Sequence, residues 1–536
     1  MSEAQLLAQM RSSISERTPG PALGRLSVFL PAALSIGLLL LCVLAAGWVV
    51  TRRIAWNFET EWVEGQIAMS CLRVVNGLPL YPPPSIEYVG DNYPPLYFWV
   101  CGLLIRLVGQ PMLVCRCVSV LSTLAIAVAI ALIPRKGPLS IRIFFAGCFL
   151  AYFSAAYEWY DLARVDMFAV ALGAWGCYAA MRGRSTSSCV LAAVCLGLAA
   201  ITKHSLIVMA GAMPLAVMLR NTRRGLVMGA VALGIPAVTF GLLHATTNGW
   251  STHYLFVQPS THEFFAKKLI QFWESDIGPH GMILFIGLGL WTGMMLVRRR
   301  TLRASRRAFA PAVLALGGIA ATLPGRIKSG GSANNLIPMW TFLLMAGAWT
   351  MPAFLAACDR LRKNRRIERA AFWFCMVGVS VSLFGTFGRM WENREQYADP
   401  AGRLRDIERF HHRIETLSKL GPVWVVRHPL YSRVDPMKTI AHGSPILFLQ
   451  NTAAKPARNL FYESLREYLA GANRPAVVVF NHPHNADLAH AVLDAGYVDA
   501  GFLIGKNHNC KPLTAYKTYP DRIFVRKDLA KLAPRR

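Results

Sequence analysis

The chain predicts an α-helical polytopic membrane protein carrying a small α/β soluble domain at its C-terminal end. Three observations lead there. Of its 536 residues 54% are hydrophobic and only 16% charged, with a mean hydropathy of +0.36, far above the balance of a water-soluble domain. Apolar runs long enough to match a bilayer's hydrocarbon core recur between residues 26 and 388. The texture then changes: residues 389–536 hold 23 Lys+Arg and 14 Asp+Glu without an apolar span.

Residues 1–25 are polar and hold Arg11, Arg17 and Arg25, which predicts a cytoplasmic tail. The apolar run 26–50 is too long for a cleaved signal and reads as a retained anchor. Residues 51–111 form a first outer loop with surface helices. Further spans are predicted at 112–133, 141–157, 165–181, 187–203, 206–219, 226–246, 279–297, 308–323, 334–357 and 370–388, about eleven in all. The membrane domain is thus 26–388, followed by a domain at 389–536.

The segment 93–110 is apolar enough to be a twelfth span, and charge decides against it. With 93–110 on the surface, the inner loops and tail carry 23 Lys+Arg against the four acids Glu3, Glu16, Asp359 and Glu368. The other eleven acids before residue 389 then all fall outside. A crossing at 93–110 would turn the Arg-rich loops outward, against the positive-inside bias. The same sorting explains the net charge of +28 without nucleic acid, which is excluded as a partner. It also places the C-terminal domain outside, on the periplasmic face of a bacterial inner membrane.

Within 389–536 the spacing predicts a helix over 403–420. Short buried strands are predicted at 423–426, 446–449, 476–480, 502–504 and 523–525. The twelve cysteines lie mostly inside predicted spans and act as small apolar residues, so no disulfide framework is expected.

Four stretches carry chemistry. Trp56-Asn-Phe-Glu59-Thr-Glu61-Trp-Val-Glu64-Gly65 sets three carboxylates beside aromatic rings just outside the anchor. One of Glu59, Glu61 and Glu64 is a candidate general base, with Glu64 preferred; the bland alternative is a set of solvated interfacial charges. Tyr157-Glu158-Trp-Tyr-Asp161-Leu-Ala-Arg164-Val-Asp166 is a second acidic outer loop. There Asp166 is either a second active-site carboxylate or the partner of Arg164. Thr202-Lys203-His204-Ser205 offers Lys203 and His204 to a phosphate or to lipid headgroups. Pro324-Gly-Arg326-Ile-Lys328-Ser-Gly-Gly-Ser-Ala-Asn334-Asn335 is a Gly-rich basic loop suited to an anion.

In the C-terminal domain a metal site from His482, His484, His508 and Cys510 is conceivable, but sequence spacing alone cannot bring them together, and surface loop histidines are the default reading. No cofactor motif is present: there is no Walker loop, nucleophile elbow or CxxC pair. A divalent metal is left open.

These motifs in this order resemble the GT-C superfamily of membrane glycosyltransferases, such as protein O-mannosyltransferases and aminoarabinose transferases. The resemblance rests on the Glu61–Gly65 loop, Arg73-Val-Val-Asn-Gly77-Leu-Pro-Leu-Tyr81, Tyr93-Pro-Pro-Leu-Tyr97, Ala163-Arg-Val-Asp166, Thr202-Lys203 and the Gly-Gly-Ser-Ala-Asn-Asn loop. It spans roughly 26–350. Family members often carry an Asp-Glu pair where this chain has Val63-Glu64. The resemblance implies transfer of a sugar from a polyprenyl-phosphate donor to a glycan or lipid acceptor hydroxyl, with inversion, at the periplasmic face. Glu64, Glu61 and Asp166 would be catalytic, and Lys203, Arg326 and Lys328 would hold the donor phosphate. Glu59, Tyr93, Arg164, His204 and Asn334 would contact substrate, and membrane lipids would surround the rest. The alternative is a transporter or flippase of lipid-linked sugars, for which midplane carboxylates or related halves would be expected.

Overall fold

The computed structural model describes residues 21–278 (apart from 57, 135–138 and 184), 302–360, most of 381–392, 400–434 and much of 441–532. Residues 1–20 of the predicted tail and the span 279–297 lie outside the described residues, as does most of 370–388, whose C-terminal end is helical; 21–25, expected in the tail, are helical. Helices of nine residues or more are numbered here in chain order.

The apolar runs become helices close to their predicted bounds: α1 (Pro21–Arg53), α4 (Pro111–Leu132), α6 (Val165–Arg182), α7 (Thr186–Ala200), α8 (Ile207–Met218), α9 (Thr222–Thr246), α10 (Leu302–Arg326) and α11 (Ile337–Arg360). Among the described residues, four helices are long and apolar enough to cross a membrane by length and composition alone: α1, α4, α9 and α10. Small residues let neighbours approach closely: a Cβ on Gly176 of α6 would lie 2.8 Å from Leu196 of α7.

One span is shorter than predicted. α5 (Leu139–Ala151) stops six residues before 157, because the chain turns through Tyr157 and Glu158 in left-handed conformation, φ 51° and 64°. Arg53 bonds the carboxylate and carbonyl of Glu158 and lies 3.2 Å from Asp161, holding the turn from beneath.

The segment expected as the first outer loop contains α2 (Glu64–Val75) and α3 (Leu96–Val108), packed on each other and on α4. At 13 residues α3 is about 20 Å long, short of a bilayer's ~30 Å core. Trp99, Leu103 and Leu107, one exposed stripe, face away from the protein. Cys71, Cys101 and Cys115, from α2, α3 and α4, bring their sulfurs within 4.8 Å of one another. Their surroundings are an apolar cluster that includes Ile67, Tyr97, Phe98 and Val118, where small polarizable thiols pack well and a charged centre would be costly.

The C-terminal region folds as α12 (Pro400–Ser418), β1 (Val423–Val425), α13 (Lys455–Ala470), β2 (Val477–His482), α14 (Ala486–Asp494), β3 (Tyr497–Phe502) and β4 (Tyr519–Arg526). The sheet order is β1-β2-β4-β3, with β1 parallel to β2 and the other pairs antiparallel. The expected strand at 446–449 is not one: Ile446 and Leu449 are helical, and their spacing of three puts both buried side chains on one face. The strand expected at 502–504 ends at Phe502 instead and begins at Tyr497.

This sheet does not close its core alone. Phe58 of the first loop enters the cluster formed by Phe410, Ile414, Val423, Val425 and Tyr431. The amide of Ala441 donates to the carbonyl of Ile86 at 2.8 Å, and Ser464 accepts from the Ile86 amide. The domain is seated on the loop that carries the acidic motif.

Candidate active site

A cavity of about 650 Å³ opens where the first loop, the 159–164 segment, the α7–α8 connection and the α10–α11 connection meet. Glu61, Asp91, Tyr93 and Arg164 line one part of it; Lys203, His204, Lys328 and Asn334 line another, together with the Gly-rich loop. Seven of the eleven residues singled out from the sequence therefore share one cavity.

Glu61 has the geometry of an available carboxylate. Its Oε2 accepts from the Val63 amide and from Arg164 Nη1, both at 3.1 Å. Its Oε1 is buried without a hydrogen-bond partner among the described residues. Burial pushes the carboxyl up, the Arg164 charge offsets only part of that, and it comes to about 7. Arg164 also donates to the Tyr93 hydroxyl at 2.7 Å, which fixes the guanidinium between the two. Asp91 is held by Gln66 and the Ser70 hydroxyl, and burial lifts it to about 6.

Glu64, preferred from the sequence as the base, has a different environment. Arg116 grips it bidentately at 3.0 and 2.8 Å. The Ala163 amide donates to Oε1 at 2.7 Å, and Thr60 donates to Oε2 through both its amide and its hydroxyl. Burial raises this carboxyl, but the Arg116 charge and these donors more than offset it, to about 2. Arg116 spends its other hydrogens on the carbonyls of Arg53, Trp56 and Phe58. Glu64 is thus the ionised centre of a brace joining α2, α4 and the 159–164 segment, behind the cavity wall. Glu59 also lies behind the wall, against His428 of the C-terminal domain.

On the basic side Lys203 donates to Asp166 at 2.6 Å and to Asn335 at 3.2 Å, and Asn334 donates to the same Asp166 oxygen at 3.0 Å. Asp166 lies 3.8 Å from Arg164, so it links the cation of each wall from behind the lining. Lys328 reaches the cavity while bonded to the Pro259 carbonyl at 3.2 Å. Arg326, expected beside it, is not in the lining. It forms a bidentate pair with Asp276 at 2.7 and 3.1 Å and holds the Gly331 carbonyl at 3.3 Å. At Gly331 a Cβ would lie 2.3 Å from the Gly325 carbonyl oxygen, so the tight return of this loop requires glycine.

Arg116 and Asp91 were not legible as site residues. Arg116 did carry a signal: an arginine inside an apolar run needs a buried partner. Asp91 had none beyond its place in an aromatic loop. Of the histidines weighed for a metal, His484 and His508 lie outside the described residues, and Cys510 is buried in the domain core.

A family model described as dolichyl-phosphate-mannose-protein mannosyltransferase matches residues 92–248. That stretch contains Tyr93, Arg164, Asp166 and Lys203 but not the acidic loop. No curated protein matches the chain by sequence. Among solved structures, ArnT from Cupriavidus metallidurans in the apo state is 15% identical, with a TM-score of 0.57 over 94% of this chain and 99% of that one. ArnT from the same organism bound to undecaprenyl phosphate is 15% identical, with a TM-score of 0.52 over 93% and 99%. At that identity the likeness is one of fold. The resemblance read from the motifs thus extends to the fold: a mostly helical chain with apolar helices and a small C-terminal sheet.

Proposed function

We propose that the chain is a membrane glycosyltransferase that moves a sugar from a polyprenyl-phosphate donor to an acceptor hydroxyl at the outer face of the membrane. The observation that carries the reading is a single cavity with a carboxylate poised near neutrality on one wall and lysines beside a glycine-rich loop on another. The matched mannosyltransferase segment and the fold shared with a protein crystallised with undecaprenyl phosphate support a lipid-phosphate donor.

In this mechanism Glu61 takes the proton from the acceptor hydroxyl as that oxygen attacks the anomeric carbon. The C–O bond to phosphate breaks, and the electron pair leaves with the polyprenyl phosphate, whose low basicity removes the need for a general acid. Lys203 and Lys328, with the backbone of the 329–332 loop, hold the leaving phosphate. Arg164 steadies Glu61 and Tyr93, and Asp166 keeps Lys203 in place. Glu64 and Arg116 position the acidic loop rather than exchange protons, and Arg326 organises the glycine-rich loop from outside. Attack from one side while phosphate departs from the other gives inversion.

The test is donor dependence in proteoliposomes. A polyprenyl-phosphate sugar should yield free polyprenyl phosphate and glycosylated acceptor, while a nucleotide sugar should yield neither. Movement of the intact lipid-linked sugar across the bilayer without cleavage would establish the flippase reading instead.

A further inference from the structure

We infer that His428, in the C-terminal domain, is a positioning residue for the acidic loop, so that this domain forms part of the catalytic framework. This rests on the role proposed for Glu61. His428 follows β1 and is fully buried. Its Nδ1 faces Glu59 Oε2 within hydrogen-bond distance, and its Nε2 lies 2.9 Å from the Asn481 side-chain nitrogen on β2. The chain of contacts from Asn481 through His428 to Glu59 ties the sheet to a residue two positions before Glu61.

The loop is shaped to receive this contact. Glu59 fills the space beside the second residue of α2, where a Cβ on Gly65 would lie 1.9 Å from Glu59 Oε1. Phe58 stacks on Tyr431 with ring centroids 5.2 Å apart and planes at 7°. On the other side of Glu61, Trp62 lies 5.6 Å from the Arg427 guanidinium and 6.4 Å from the His442 ring. Glu61 is therefore bracketed by two residues, Glu59 and Trp62, that the C-terminal domain holds, and Pro445 of that domain reaches the cavity itself. Arg116 and Thr60 fix the loop from the membrane side; His428 fixes it from above. A displacement of about 1 Å at the base is enough to cost about 100-fold in rate.

The experiment exploits the two nitrogens of the ring. The amide of Asn occupies the place of Nδ1, and that of Gln the place of Nε2. In the full-length protein in nanodiscs, His428→Asn should keep the bond to Glu59 and most of kcat. His428→Gln should lose that bond and lower kcat about 10-fold or more, with KM for donor little changed. Hydrogen exchange should rise over residues 58–66 in His428→Gln, but not in His428→Asn, and not in α4. Asn481→Ala, which frees the ring's far nitrogen, should give a smaller change in the same direction. The proposal is overturned by wild-type kcat and exchange in His428→Gln and Asn481→Ala. It is also overturned by loss of protection across the whole chain with kcat and KM altered together, which would make these residues supports of the fold alone. If the unaltered protein cleaves no polyprenyl-phosphate sugar, the functional reading fails, and the exchange pattern still decides the positioning.

Discussion

Glu61 and Glu64 stand three residues apart, are equally buried, and are driven in opposite directions by their surroundings. Glu61 comes to about 7 because burial outweighs one arginine, and Glu64 falls to about 2 because a bidentate arginine, the Ala163, Thr60 and Glu61 amides and the Thr60 hydroxyl outweigh burial. A base must be deprotonated, so kcat/KM should rise with pH and level off above about 7. Arg164→Gln removes the cation that lowers this carboxyl and should move the profile to higher pH; a profile flat from pH 5 to 8 in the unaltered protein would contradict the assignment. The stability signs also differ. A raised carboxyl favours the folded state below its unfolded pKa of 4.5, and this contribution is lost as pH rises through about 7. The lowered Glu64 contributes fully above 4.5 and loses its contribution as pH falls through about 2. At neutral pH, then, Glu61→Gln should leave the thermal midpoint unchanged or higher. Glu64→Gln leaves Arg116 buried without its partner, at a cost of about 3–5 kcal/mol, and should lower the midpoint sharply. Calorimetry of the two variants checks both. The acidic cluster was legible in the sequence, but the division of labour within it was not. It depends on Arg116 and the Ala163 amide, 52 and 99 residues from Glu64, and no local pattern reports where those arrive.

The helices were the most legible elements, because an apolar run of bilayer length leaves the backbone few other ways to satisfy its hydrogen bonds. What failed was local. α5 ended early at two residues in left-handed conformation, and Ile446 and Leu449 are as compatible with one helical turn as with a short strand. β3 was misplaced because as an edge strand it carries Asp499 and Gly501 and buries little beyond Tyr497. The glycine-rich loop between α10 and α11 was found, although which of its cations faces the cavity was not. Arg326 turns to Asp276, whose approach from 50 residues upstream has no sequence signature. The loop's geometry makes a prediction at this scale. Gly331→Ala places a methyl against the Gly325 carbonyl, opens the return of the chain, and should weaken binding of polyprenyl phosphate by about tenfold. Equilibrium binding of the labelled lipid phosphate measures this, and unchanged affinity would remove the loop from the donor site.

At the scale of the molecule, the change of composition near residue 389 marked a domain but not its dependence on the rest. Phe58, Glu59 and Ile86 of the first loop complete the packing and hydrogen bonding of the C-terminal sheet region. The acidic loop is consequently clamped between α4 and the sheet domain, an arrangement suited to holding one carboxylate at a fixed point in the cavity. We propose from the charge sorting that this assembly faces outward, where a polyprenyl-phosphate sugar and its acceptor would meet. The central claim is that Glu61 is the base for transfer from such a donor. Its most direct test is single-turnover release of polyprenyl phosphate from a radiolabelled donor in proteoliposomes, with donor binding followed separately. The account predicts that Glu61→Gln lowers the rate about 100-fold or more while donor affinity is kept; near-normal turnover in Glu61→Gln would contradict it.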